Sequence, residues 1–143
     1  MIRRLTPRWR LRATVAALAL PPLVHLVSLD RISRWIERER YPAPPDGTVD
    51  DAALAEWVDR VLSRLPPPWK HTCLRRALVL HYLLRRAGRP AGLRIGVRRD
   101  ADRALAAHAW LVHGEEPYLE PATGVAGSYQ VLAAFPPIPG TGG

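Results

Sequence analysis

Cysteine is nearly absent from this chain: Cys73 is the single one in 143 residues. One cysteine excludes an internal disulfide framework and the paired-cysteine zinc sites of the CxxC kind. Acidic residues are also scarce, 13 against 21 basic ones, which leaves a formal net charge of +8. This surplus indicates an acidic partner, which is a nucleic acid, an anionic membrane or an acidic peptide, and it does not choose among the three.

A long, uninterrupted apolar run is missing as well. The stretch 13–29 is almost wholly apolar, but it spans only about 17 residues against the ~20 of a transmembrane helix, and Pro21 and Pro22 interrupt it. The segment 30–36 that follows has the pattern of an amphipathic helix. We therefore expect two short N-terminal helices that pack on the domain or on a membrane surface, in preference to a cleaved signal peptide.

Apolar residues are nonetheless plentiful, at 48% of the chain, which is enough for one folded domain with a single core. The 15 prolines cluster between segments of regular pattern and so separate the elements without breaking them. After a Pro-rich linker at 41–48, apolar residues at helical spacing predict a helix over 49–65, which Asp50 can cap.

The segment from Thr72 to Gly88 predicts the central helix of the domain. Thr72 is a suitable N-cap, Gly88 is a natural stop, and residues 77–84 are apolar or aromatic apart from His81. Cys73 is therefore expected at the first position of a helix that runs through the core, where unpaired N–H groups favour a thiolate. The alternative is that Cys73 is a small buried hydrophobic residue, as most free cysteines are.

The second half of the chain has the alternation of strands, which together with the preceding helices predicts an α+β fold. The predicted strands are 93–98, 106–113, 118–120 and 128–135. On the second of them, His108 and Trp110 point to the same face. A turn at 114–116 would pair Glu120 near Trp110, diagonal to His108, at a backbone distance of about 7–8 Å.

Short motifs along the chain are similar to those of one family. They are Cys-Leu-x-Arg-Ala-Leu at 73–78, Leu-Leu-Arg-Arg-x-Gly at 83–88, Ile-Gly-Val-Arg at 95–98 and His-Ala-Trp at 108–110. In their order and spacing they resemble the transglutaminase-like leader peptidases of lasso peptide biosynthesis. The resemblance covers roughly residues 65–120. It implies a transglutaminase-like, papain-like cysteine peptidase core at 48–135, preceded by helices and linker at 1–47 and followed by a flexible tail at 136–143.

The resemblance also implies a catalytic triad of cysteine, histidine and acid. Cys73 would attack the scissile carbonyl, His108 would carry the proton, and Glu120 would orient the imidazole. The family more usually has aspartate at the place of Glu120. Glu115 and Glu116 are the alternative acids, but they fall in the predicted turn, where a solvated side chain is expected.

The remaining histidines and tryptophans near these motifs have lesser roles. Trp69, His71 and Trp110 are candidates for substrate binding, and His71 also for stabilising an oxyanion. His81 lies about 12 Å along the helix from the cysteine, so we interpret it as a core histidine, and His113 faces away from the site. A zinc site is disfavoured because the sequence contains no paired ligand spacing such as HExxH, and no cofactor is expected.

The family implies release of the leader from a ribosomally made lasso precursor before a separate cyclase closes the ring. Residues 1–65 do not match the winged-helix-like domain with which fused members grip the leader. The expected partners are therefore the precursor (leader) peptide, a separate leader-recognition protein and a lasso cyclase, without nucleic acid. We expect a cytoplasmic protein, with residues 1–40 as the candidate peripheral membrane contact. The rival hypotheses are a thiol acyltransferase with the same triad and a non-enzymatic basic protein bound to membrane or nucleic acid.

Overall fold

Four helices followed by a four-stranded sheet are formed by the described residues of the computed structural model. These residues are 5–24, 26–38, 50–66, 73–89, 91–99, 105–113, 116–119 and 129–135. The helices are α1 (Pro7–Leu23), α2 (Leu29–Arg38), α3 (Asp51–Ser63) and α4 (Cys73–Arg86). The strands are β1 (Ala91–Arg99), β2 (Leu105–His113), β3 (Glu116–Tyr118) and β4 (Gln130–Phe135). The predicted α+β class is confirmed.

Local capping sets the helix ends. The Thr6 hydroxyl oxygen accepts a hydrogen bond from the Trp9 N–H at 3.4 Å at the start of α1. The Asp50 carboxylate accepts one from the Ala52 N–H at 3.1 Å at the start of α3, as the sequence predicts. Gly88, the predicted stop after α4, has φ of 81°, a left-handed conformation that glycine adopts without strain.

The two expected N-terminal helices are present, and α1 packs against α3 and α4. The indole N–H of Trp57 on α3 donates to the Thr14 hydroxyl on α1 at 3.1 Å. Pro21 and Pro22 interrupt the apolar run 13–29 as expected, because both occupy the last turn of α1, which ends at Leu23, and α2 begins only at Leu29. Proline fixes φ near the helical value, but it has no backbone N–H to donate and its ring crowds the carbonyl one turn earlier, which is consistent with the end of the helix there. In the part of the chain that the structure describes, no helix is long and apolar enough to cross a membrane.

Helix α4 is the centre of the hydrophobic core, as its apolar run predicts. The aliphatic side chains of α4 with no exposed surface are Leu78, Val79, Leu80, Leu83 and Leu84. They form one cluster with buried residues of α1, α2 and α3 and with one face of the sheet. Because burying such a side chain stabilises the fold by about 1.5–3 kcal/mol, this helix holds the N-terminal helices and the sheet together.

The sheet is antiparallel, in the order β3-β2-β1-β4. The last strand therefore returns across the sheet to pair with β1, with Gly96 opposite Val131. The predicted third strand at 118–120 was placed too late: β3 ends at Tyr118, and Leu119 has φ of 57°. This left-handed conformation does not continue a strand, so the ladder with β2 ends there.

Alternation divides the sheet residues between two faces. Leu93 pairs with Leu111, and both side chains belong to the cluster around α4. Trp110 and Val112 point to the opposite face, where they form a second, smaller cluster with Tyr129. The helices therefore cover one face, and aromatic side chains lie on the other.

Gly96 in β1 lies beneath this second cluster, and replacing it with alanine is expected to destabilise the protein. A Cβ atom there would lie 2.8 Å from the main-chain oxygen of Gln130 and 3.0 Å from Cη2 of Trp110. The backbone of a paired strand cannot yield as a side chain can. We expect Gly96→Ala to lower the free energy of unfolding by about 1–3 kcal/mol, measured by chemical denaturation.

Gly92→Ala is the matched control in the same strand. Its new Cβ would lie 3.1 and 3.2 Å from the side chains of Val112 and Arg94 and 3.3 Å from the main-chain oxygen of Phe135. The side chains can adjust, and this main-chain contact is longer than the 2.8 Å one at Gly96, so the loss should be the smaller of the two. A Gly96→Ala protein as stable as the Gly92→Ala protein would contradict the packing described for this face.

Candidate active site

Cys73 is the first residue of α4, as predicted, and its half-buried side chain packs against the main core cluster. The thiol thus lies at the positive end of the helix macrodipole. One turn into the helix, the buried Arg76 guanidinium pairs with the Asp59 carboxylate on α3 at 2.7 Å. This ion pair fixes the first turn of α4 against α3, so it holds the backbone that presents Cys73.

His108 lies on β2 opposite Gly96, and its imidazole contacts two aromatic rings. It stacks on Trp110, with ring centroids 5.7 Å apart and an angle of 15° between the planes. The ring of Tyr129 lies 5.2 Å from the imidazole. These three rings, the ring cluster, fit because Gly96 has no side chain in the space that they occupy. The prediction that His108 and Trp110 share a face is confirmed.

A cation with no role predicted from the sequence lies against the ring cluster. The guanidinium of Arg98 lies 4.8 Å from the centroid of the Tyr129 ring, a cation–π distance. Tyr129 belongs to none of the recognised motifs, and Arg98 is the last residue of the Ile-Gly-Val-Arg motif but has no role predicted from it. The pairing of β4 with β1 places Tyr129 here. Strand patterns in the sequence do not specify that pairing.

Cys73 and His108, two of the three residues predicted for catalysis, pack against different groups of residues. Cys73 packs in the main core cluster, which contains the face of β2 carrying Ala109 and Leu111. His108 belongs to the ring cluster, on the face carrying Trp110. The structure therefore brings His108 and Trp110 together, on the face of β2 opposite to that of Ala109 and Leu111.

Three predicted site residues, Trp69, His71 and Glu120, lie outside the described residues. The chain just before Glu120 is anchored, however. The Tyr118 hydroxyl donates to the Asp51 carboxylate at the start of α3, and the Arg89 guanidinium pairs with the same carboxylate at 3.3 Å. The pKa of Tyr118 is raised to about 12, mainly by burial and next by the hydrogen bond to the Asp51 carboxylate. The sequence carried no signal for this contact, because Tyr118 and Asp51 are 67 residues apart.

His81 is confirmed as a core residue. It has no exposed surface, and it lies in the middle of α4. Burial lowers the pKa of its imidazole to about 3, and the charges of Arg85 and Arg94 act in the same direction, against a smaller opposing effect of the Ala91 main chain. It is therefore neutral at physiological pH. Among the described residues, no three His, Cys, Asp or Glu side chains come together as metal ligands.

A family model described as the transglutaminase-like superfamily matches residues 14–134. The chain belongs to this superfamily. The match includes Cys73, His108 and Glu120, and it confirms the predicted transglutaminase-like fold. Members of the superfamily are generally catalytic, as cysteine proteases or acyltransferases. No curated protein and no solved structure matches the chain.

Proposed function

We propose that this superfamily member is a cysteine peptidase that removes the leader from a ribosomally made lasso precursor peptide. The observation that carries the proposal is the position of the single cysteine. Cys73 is the first residue of the helix at the centre of a transglutaminase-like domain. The order of the motifs that follow, ending in His108-Ala109-Trp110, supports the lasso assignment.

In the proposed reaction the Cys73 thiolate attacks the scissile carbonyl at the end of the leader. The N–H of Cys73, at the helix start, donates to the oxyanion, with His71 as a candidate second donor. The imidazolium of His108 gives its proton to the departing amine, so the downstream peptide leaves with a free N-terminus. Water then hydrolyses the thioester, which releases the leader as a carboxylic acid and restores the thiol. Glu120 orients the imidazole in this scheme.

Leader release in a defined mixture tests the proposal. The protein would be incubated with a lasso precursor and a small leader-recognition protein, and the products followed by mass spectrometry, with and without an excess of a primary amine. We expect the leader to appear as the free acid in both mixtures, because water is the acceptor in a peptidase. A leader amide as the main product would identify an acyltransferase, and an intact precursor would contradict both activities.

A further inference from the structure

An elongated apolar groove of about 340 Å³ lies between α1, α2 and α4. Its α1 wall runs from Leu11 to Leu23, which are twelve residues apart and therefore span about 18 Å of helix. Trp35 of α2 and Tyr82 of α4 form the other wall, with their rings stacked at 5.8 Å and an angle of 6° between the planes. The shape fits a row of side chains better than it fits a compact ligand.

The apolar residues at the edges of this groove are exposed to water. Leu11 is 66% exposed, Val15 54% and Trp35 48%. Leu11 and Val15 are four residues apart on a helix, so they form one ridge along the opening. A contiguous apolar surface of this kind, next to a concavity, is typical of a site that another molecule covers.

The two charged side chains in the lining of the groove are both arginines. Arg12 and Arg86 belong to its lining, and α1 contains no Asp or Glu. The Arg12 guanidinium lies 5.1 Å from the centroid of the Trp9 ring, and that of Arg86 donates to the Tyr82 hydroxyl at 3.4 Å. Two guanidinium groups beside an apolar groove favour a ligand that carries carboxylates next to its apolar groups.

We propose that this groove docks an amphipathic helix of a partner protein, about three turns long, with apolar side chains at helical spacing and Asp or Glu beside them. The mode is that of a helix in a groove. Symmetric pairing of two copies is disfavoured because it would bring Arg12 and Arg86 of each copy towards those of the other. A flat membrane surface is disfavoured because the groove is recessed between helices and lipid would leave it unfilled. The proposal does not depend on peptidase activity.

Peptide display provides a direct test. The full-length protein would be immobilised and a library of random peptides of about 15 residues selected against it, with affinities of recovered peptides measured by fluorescence anisotropy. We expect recovered peptides to share apolar residues at i, i+3 or i+4, and i+7, with Asp and Glu enriched beside them. Recovery of no common pattern, or of one without acidic enrichment, would overturn the proposal.

Two substitutions locate the binding. Leu11→Glu is expected to weaken the selected peptides about tenfold or more, because it places a charge on an apolar edge. Leu132→Glu, on β4 and equally exposed at 65%, should leave their affinity unchanged. Circular dichroism would verify the helical content of both variants. Equal effects of the two substitutions, or none from Leu11→Glu, would count against the groove.

Charge reversal gives a result that a structural role alone would not produce. A repeated selection against the Arg12→Glu/Arg86→Glu variant should recover basic peptides in place of acidic ones. Acidic peptides from that variant would refute the role of the arginines. Sedimentation with vesicles of phosphatidylcholine and phosphatidylglycerol completes the test, since Leu11-dependent vesicle binding without peptide recovery would assign the groove to lipid.

Discussion

The Cys73→Ala protein is expected to release the leader at least about a thousandfold more slowly than the parent. The reason is chemical: without the sulfur no thioester can form, and the remaining groups can only polarise the scissile carbonyl. The measurement is the rate of leader release in the defined mixture, followed by mass spectrometry. Because Cys73 is half-buried and alanine is a good helix former, the variant should keep its fold, which circular dichroism would verify. Cleavage by the Cys73→Ala protein at the parental rate would end the peptidase hypothesis.

The His108→Ala protein tests whether the imidazole serves the thiol. If His108 takes the thiol proton, its loss should lower both leader release and the rate at which iodoacetamide alkylates Cys73 at pH 6, each by about tenfold or more. His113→Ala is the matched control, since His113 is an exposed histidine at the last position of the same strand.

The alkylation rate also tests whether the imidazole of His108 reaches the thiol of Cys73. Cys73 packs in the core cluster, while His108 stacks on Trp110 across the sheet. Unchanged alkylation in the His108→Ala protein would mean that the imidazole does not reach the thiol. The superfamily assignment would stand in that case, and the triad would not.

The elements of the fold were accessible from local sequence, because local interactions form them. Apolar spacing and capping residues predicted α3 and α4 to within about two residues at each end, and alternation put His108 and Trp110 on one face. Such patterns depend on neighbours two to four positions apart. They say which face a side chain takes, and they do not say what lies against that face.

Contacts between distant parts of the chain were not accessible in the same way. The return of β4 to β1 brings Tyr129 to His108, and the Tyr118–Asp51 hydrogen bond joins β3 to α3. Each depends on how separate elements pack, which a single sequence does not encode in any periodic pattern. The same limit applies to the triad, because the resemblance names three residues without measuring the distances between them.

Acid is expected to destabilise the fold through His81. Its pKa is lowered from 6.5 to about 3 by burial, so the folded protein holds it neutral while the unfolded chain protonates it below about pH 6.5. The unfolded state therefore binds more protons as the pH falls from 6.5 towards 3. The contribution of His81 to the free energy of unfolding is fully present above pH 6.5, and it falls by about 1.4 kcal/mol per pH unit between pH 6.5 and 3. Urea denaturation at pH 7, 6 and 5, where most carboxylates remain ionised, measures this slope.

The His81→Leu protein isolates this contribution. Leucine is close to the imidazole in size and has no proton to gain, so the slope between pH 6 and 5 should fall by about 1.4 kcal/mol per pH unit relative to the parent, even if the absolute stability changes. His113→Gln, at an exposed site, should leave the slope as it is. A His81→Leu protein that loses stability with acid as steeply as the parent would show that another group controls the acid limit. His81 would then be a packing residue without a proton-linked role.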